Sequence, residues 1–368
     1  MAHNRGFFTL GLAAAATVCL LAVAIHSELR GNAVAAPATG FQAATGLQAV
    51  TGSQPATSLQ AVKGFQKGMV FGLFARSEPD HTDKGLAELK DLGVDSVSIM
   101  IPWVIANVRG LEMAPRADMT PSDDSLVYTV RKAHALGMRV FLMPFLFVDH
   151  MEGEEWRGTI SPPDWQSWFR SYRAFILHYA ELAGREHVEF FSIGSELCSA
   201  ESRRDDWMSL ITAVRGVYGG LLTYSANWDH RGSLGFAQAL DFLGMNAYFK
   251  LTDQDSPSYE DLVKAWGPIL EEVEGWRRAS GKPIVITEVG YPSRRGAGTD
   301  PWNYSAVGAL DLEGQLRCYR AFRRVWSGEP YLQGVYFYMW WGEGGPADSG
   351  YTPRGKPAAE VVRSWYSR

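Results

Sequence analysis

From Gly68 onward, apolar runs and amphipathic stretches alternate along the chain. Eight runs read as strands: Met69–Ala75, Ser96–Ile101, Arg139–Phe147, Glu189–Ser195, Leu221–Asn227, Ala239–Tyr248, Pro283–Thr287 and Gly334–Trp340. They are short, continuous and rich in β-branched and aromatic residues, as strands buried on both faces of a parallel sheet are. Helical periodicity fills the intervals at Asp83–Leu92, Ser122–Leu136, Pro163–Ala183, Asp205–Tyr218, Tyr259–Ser280 and Glu313–Trp326. Pro162-Pro163-Asp164 is a helix start, and Ala135-Leu136-Gly137 and Asp91-Leu92-Gly93 are helix stops. Eight strand–helix units over about 300 residues predict an α/β fold, a (β/α)8 TIM barrel. A doubly wound sheet would need no eighth strand and usually carries a Gly-rich phosphate turn, which is not seen here. The connection from the fifth strand to the sixth is short, with room for about two helical turns around Ser233–Gln238.

Two different patterns precede the barrel. Phe7–Ile25 is mostly apolar and carries no charge; as a helix it would span roughly 28 Å, close to the ~30 Å hydrocarbon core of a bilayer. Residues 1–30 therefore read as a signal peptide or an uncleaved signal anchor, with small-x-small sites at Ala22-Val23-Ala24 and Ala33-Val34-Ala35. The expectation is an extracytoplasmic protein, secreted or tethered, whose N-terminal segment contacts a membrane. A six-residue period runs from Thr39 to Gly68 (TGFQAA, TGLQAV, TGSQPA, TSLQAV, KGFQKG), and residues 31–63 read as a flexible linker. Residues 64–368 form the barrel domain.

Composition narrows the partners. The chain is 46% hydrophobic and 20% charged, which suits a large core, and its net charge of −5 without a basic block points away from nucleic acid. Aromatics reach 12%, with 13 Trp. Indole faces suit the C–H surface of a pyranose, so a polysaccharide or oligosaccharide substrate fits. Cys19, Cys198 and Cys318 show no paired spacing, and no structural disulfide is expected. His81, His134, His150, His178, His187 and His230 show no metal-ligand spacing, so neither a metal requirement nor a cofactor is expected; the protein is expected to be a monomer.

In a barrel of this kind the C-terminal tips of the strands build the active face. Two tips carry glutamate: Glu189-Phe190-Phe191-Ser192-Ile193-Gly194-Ser195-Glu196 and Ile284-Val285-Ile286-Thr287-Glu288. A carboxylate at the end of a buried strand is costly to desolvate, and two on one face make the pair that glycoside hydrolysis needs. Glu288 is read as nucleophile with Tyr248 as its hydrogen-bond partner, and Glu196 as general acid, later base. Trp103, Asp149, Asn227, Trp228, Tyr248 and Trp340 occupy other tips and are read as substrate-binding, with Trp340 as a platform under the sugar. Each has a plainer reading: Trp103 capping the barrel, Asp149 paired with Arg157, Asp229 paired with Arg231, Tyr248 packed in the core.

These residues resemble glycoside hydrolase family 113, a clan A family known chiefly for endo-β-1,4-mannanases with a retaining mechanism. The resemblance rests on Gly64-Phe65-Gln66-Lys67-Gly68-Met69, Gly153-Glu154-Glu155-Trp156-Arg157-Gly158, Ile193-Gly194-Ser195-Glu196-Leu197 and Ala226-Asn227-Trp228. It continues through Thr287-Glu288-Val289-Gly290-Tyr291, Pro301-Trp302 and Gly350-Tyr351-Thr352-Pro353-Arg354-Gly355-Lys356-Pro357. It implies Glu196 as acid/base, Glu288 as nucleophile, and a β-1,4-mannan-like substrate; Trp156, inside the second motif, joins the substrate-binding set. Three positions depart from the pattern: Ser195 where Asn often precedes the acid/base, Phe145 after Pro144 where a His is expected, and Pro292 where a basic residue is usual. Two other readings compete: an exopolysaccharide-processing glycosidase or transglycosylase of different sugar specificity, and a non-catalytic carbohydrate-binding barrel.

Overall fold

The computed structural model describes residues 64–75 and 77–367. The expected signal segment and the hexapeptide linker lie outside the described residues. Among the described residues, no helix is long and apolar enough to cross a membrane.

Eight parallel strands close into a barrel: β1 (Gln66–Phe71), β2 (Ser96–Ile105), β3 (Arg139–Val148), β4 (Phe190–Ser195), β5 (Leu221–Asn227), β6 (Leu243–Asn246), β7 (Ile284–Val289) and β8 (Leu332–Trp340). Closure runs through β1, which pairs with β2 (Gly68 opposite Ser96) and with β8 (Gln66 opposite Gly334). A two-residue strand, Met113–Ala114, adds antiparallel to the outer end of β2. Helices α1 (Pro79–Asp91), α2 (Asp123–Ala135), α3 (Trp165–Arg185), α4 (Arg204–Arg215), α5 (Tyr259–Ser280), α6 (Leu312–Trp326) and α7 (Ala358–Tyr366) pack around it. The starts of α2, α3, α5 and α6 are capped by the side chains of Ser122, Asp164, Ser258 and Asp311, each accepting from a first-turn amide.

The alternation of side chains along a strand divides the core into two. On β3, Val140, Leu142, Leu146 and Val148 face the helical shell, while Phe141 and Met143 fill the barrel interior with Val70, Phe190, Val285 and Tyr336. At the base, Tyr336 Oη lies 2.6 Å from Ser96 Oγ and donates to Gln66 Oε1 at 2.7 Å. Its ring covers Gly68, where a Cβ would stand only 2.4 Å from it.

Several boundaries differ from those read in the sequence. β1 starts three residues earlier than expected, because Gln66 is a buried partner of Tyr336 and not a solvated lead-in. The sixth strand shrinks to Leu243–Asn246, and the stretch before it forms two 3₁₀ turns, Arg231–Ser233 and Ala237–Ala239, in place of an α-helix. Helix α7 escaped the sequence reading; its Tyr366 hydroxyl reaches the carbonyls of Gly68 and Val335 and closes the seam between β1 and β8.

Candidate active site

Glu196 and Glu288 both lie at the mouth of the barrel, 1% and 0% exposed. Glu196 follows the last residue of β4 and takes φ +56°, the left-handed region that a residue with a Cβ rarely adopts. Its amide donates to the Ser225 carbonyl on β5 at 3.0 Å, so the chain leaves the sheet in a fixed turn. Its carboxylate is held from two sides. Arg157, from the loop after β3 and itself 0% exposed, donates to Oε2 at 2.6 Å, and Asn246 at the end of β6 donates to Oε1 at 2.8 Å. Asn246 also donates to Ser195 Oγ and accepts from the Thr287 hydroxyl, which ties β4, β6 and β7 together beneath the two carboxyls.

Glu288 is held differently. One oxygen, Oε2, accepts from Tyr248 at 2.9 Å; the other, Oε1, is buried with no hydrogen-bond partner among the described residues. Burial pushes the Glu288 carboxyl up to about 8, and the charge of Glu196 adds to the effect; Arg157, the Tyr248 hydroxyl and the Asn246 side chain oppose it. Burial also raises Tyr248 well above the usual phenol range, so it keeps its proton and acts as a donor. Two buried carboxyls that feel each other's charge titrate as a pair, not as two independent acids.

The structure brings some of the sequence-predicted residues to this pair and leaves others elsewhere. Tyr248 contacts Glu288, as expected. Asn227, at the tip of β5, donates to Asp229, which Arg231 leaves for Glu272. Trp228 stacks on Trp302 with ring centres 5.4 Å apart and packs against the interior cluster of the barrel. Trp156 lies flat on Gly158, where a Cβ would stand 2.2 Å from the indole, and this close packing precedes and follows Arg157 on its way to Glu196. Asp149 stays on the rim, one-third exposed, and pairs with Arg116 and His150; the Arg157 considered for it is engaged by Glu196.

Two tryptophans face the wrong way to meet a sugar in the barrel. Trp103 shares the outward face of β2 with Ile99 and Ile101; it stacks on Phe175 of α3 at 4.8 Å and donates to Tyr179. Trp340 donates to Glu88 of α1 at 3.0 Å, beneath the guanidinium of Arg354, so it is no platform for the reacting ring. Its neighbour Trp341 packs edge-on against Phe74 beside the interior cluster, and Tyr338 lies beside Tyr248 and close enough to feel the charge of Glu288. Arg157, Asn246 and Tyr338 are the residues that sequence reasoning missed. Arg157 stood inside a recognised motif, but nothing local shows that its side chain returns to a strand tip 39 positions away.

A buried carboxyl pair at the tips of β4 and β7, with donors on one member and an open oxygen on the other, is an arrangement for acid–base and nucleophilic work on a substrate entering the barrel mouth. Solved structures resemble the chain as a whole. The chain superposes on the GH113 β-mannanase AaManA from Alicyclobacillus acidocaldarius, in complex with ManMIm, with a TM-score of 0.75, 29% identity, and coverage of 83% of this chain and 98% of the other. A complex structure of a GH113 β-1,4-mannanase gives a TM-score of 0.75 at 25% identity, covering 83% and 99%. A Faecalibacterium prausnitzii β-glucuronidase shares the fold at 13% identity with a TM-score of 0.56, over 82% of this chain and 49% of that one. A search of curated protein sequences returns no match. The profile of Glycoside Hydrolase Family 113 matches residues 69–352, which include both strand-tip glutamates, Arg157, Asn246 and Tyr248: this chain is a glycosidase and belongs to that family.

Proposed function

We propose that this glycosidase cleaves a β-1,4-linked mannan with retention of configuration, with Glu288 as nucleophile and Glu196 as acid/base. The observation that carries the reading is the asymmetry of the pair. Tyr248 fixes one oxygen of Glu288, and the other, Oε1, has no hydrogen-bond partner among the described residues, which leaves it open for attack. The substrate class rests on the two mannanases above, whose chains this one covers almost entirely.

In the first step Glu288 attacks the anomeric carbon while Glu196 gives its proton to the departing glycosidic oxygen. In the second, Glu196 takes a proton from water, which attacks the anomeric carbon from the face the leaving group vacated, opposite Glu288, and releases the carboxylate. The first step needs an ionised Glu288 and a proton on Glu196. In the free protein burial favours the protonated form of Glu288, so substrate binding has to draw the shared proton to Glu196. A bound sugar supplies the bias. Its glycosidic oxygen accepts from Glu196, and the positive charge growing at the anomeric carbon favours ionised Glu288 over the protonated form.

The active form is thus the pair holding one proton. Above the pH at which the free protein loses it, kcat/KM should fall, and that basic limb is expected near pH 8. The test uses the full chain on β-1,4-mannan, with anomeric configuration followed by proton NMR at early times. Release of the β-anomer by wild type and not by Glu288→Gln supports the reading. The α-anomer overturns the mechanism; cleavage of another β-glycan but not mannan overturns the substrate.

A further inference from the structure

Directly behind the Glu196 turn, three side chains of different chemistry converge. After Glu196 and Leu197 the chain makes a 3₁₀ turn, Cys198–Ala200, which sets Cys198 and Glu201 three positions apart on one side. The loop after β5 brings His230 to the same place. The Cys198 sulfur, a Glu201 carboxylate oxygen and a His230 ring nitrogen all lie within 4.8 Å of one another. Nδ1 of His230 is 2.6 Å from Oε2 of Glu201, and Oε1 of Glu201 accepts from the Tyr224 hydroxyl at 2.8 Å. Glu201 is completely buried, Cys198 is half-buried, and the imidazole is 43% exposed. The cluster is therefore a short shaft, closed at the carboxylate and open to solvent at the histidine.

We propose that Cys198, Glu201 and His230 bind a thiophilic divalent cation, zinc first among them, beside Glu196. One thiolate, one imidazole and one carboxylate make a ligand set zinc takes readily, and three protein ligands leave the fourth position for water. Zinc–ligand bonds of about 2.0–2.3 Å put tetrahedral ligand atoms about 3.3–3.8 Å apart. Histidine and glutamate, 2.6 Å apart, need to part slightly to reach that spacing, and the whole set already lies within 4.8 Å. The outer shell is already in place, since Tyr224 fixes the second oxygen of Glu201. The entry path is the exposed imidazole.

The balance of the step is simple. The cation takes the place of the proton between His230 and Glu201, that proton and the Cys198 thiol proton both pass to water, and Zn–N, Zn–O and Zn–S bonds form with no change in oxidation state. All three ligands bind the cation through deprotonated atoms, so binding releases protons. The cation would sit against the turn that aims Glu196. The Leu197 amide donates to the Tyr224 hydroxyl at 2.7 Å, and the Cys198 sulfur contacts the Glu196 carbonyl. Occupancy thus stiffens a turn that carries the positive φ of Glu196.

Cobalt(II) titration of the untagged full chain tests this without relying on activity. One equivalent of cobalt should give the near-ultraviolet thiolate-to-metal band and tetrahedral visible bands, and added zinc should bleach them. Cys198→Ser should abolish the thiolate band even though Cys19 and Cys318 remain. His230→Gln, which changes an exposed side chain, should weaken cobalt binding by about 10–100-fold. A wild-type titration without the thiolate band, or a Cys198→Ser titration with the same band, overturns the proposal and leaves Glu201 and His230 as a plain ion pair.

Discussion

The two ends of the barrel both bury polar groups and use them differently. At the base, Ser96, Gln66 and Tyr336 form a neutral network in which the Gln66 amide nitrogen has no partner among the described residues. At the mouth, Glu288 Oε1 also has no such partner, but it belongs to a group pushed up to about 8 by burial and by a second carboxylate. An orphaned polar atom is therefore not what marks the working end. A neutral orphan is a fixed cost of about 1–3 kcal/mol, whereas an ionisable one stores a proton affinity that substrate can change. The distinction predicts that mouth substitutions move activity and its pH dependence, and base substitutions move stability alone.

The largest effect should come from Glu288→Gln, which keeps the shape and removes the charge. Hydrolysis should fall by at least about 10³-fold, read as initial rates of reducing-end release. A residual rate near wild type would end the nucleophile assignment. The same variant has a stability signature with a definite sign. The folded-state value of Glu288, about 8, lies above its ordinary value of 4.5, so its favourable contribution is complete below pH 4.5 and is lost as pH rises towards 8. Glutamine loses nothing over that range. The melting temperature of Glu288→Gln relative to wild type should therefore climb between pH 5 and pH 8 and level off above it. A constant offset would show that the carboxyl is not desolvated as the structure has it.

Next in size is Arg157→Met. Arg157 and Glu196 are both fully buried and joined at 2.6 Å, and removing one partner of such a pair costs about 3–5 kcal/mol because it strands the other. Chemical denaturation should show that loss. Arg157 also holds the Glu288 carboxyl down, so its removal should move the basic limb of kcat/KM to higher pH. Destabilisation with an unmoved limb would make Arg157 a brace for the loop with no electrostatic part in the site.

How much of this was legible in the sequence depends on the kind of information each residue carries. The strands were legible because a doubly buried strand writes itself as a continuous apolar run, and Glu196 and Glu288 because charge at the end of such a run is conspicuous. Tyr248 was legible as the polar tip of a strand. Trp103 and Trp340 face away from the mouth because β2 continues past Trp103 to Ile105 and Trp340 ends β8, and at both places the side of the sheet depends on pleat and local twist, to which composition is blind. Gln66 and Asn246 look like solvated polar residues in the chain and are buried knots in the fold. Arg157 shows the deepest limit, since its partner is set by the path of a loop and not by spacing.

The smallest effect tests the base. Tyr336→Phe removes one hydroxyl and leaves Ser96 Oγ and Gln66 Oε1 short of a partner, so it should cost about 1–3 kcal/mol of stability. Its ring continues to cover Gly68, so the barrel keeps its shape, and the hydroxyl lies at the opposite end from the carboxyl pair. Measured well below its melting temperature, the variant should match wild type in kcat/KM and in the position of the basic limb. A shift of that limb would mean that the base network reaches the mouth through the interior side chains, Phe141 among them, against which Tyr336 packs at 5.4 Å. The division between a stabilising base and a working mouth would then fail, because a neutral group at one end would be setting a proton affinity at the other.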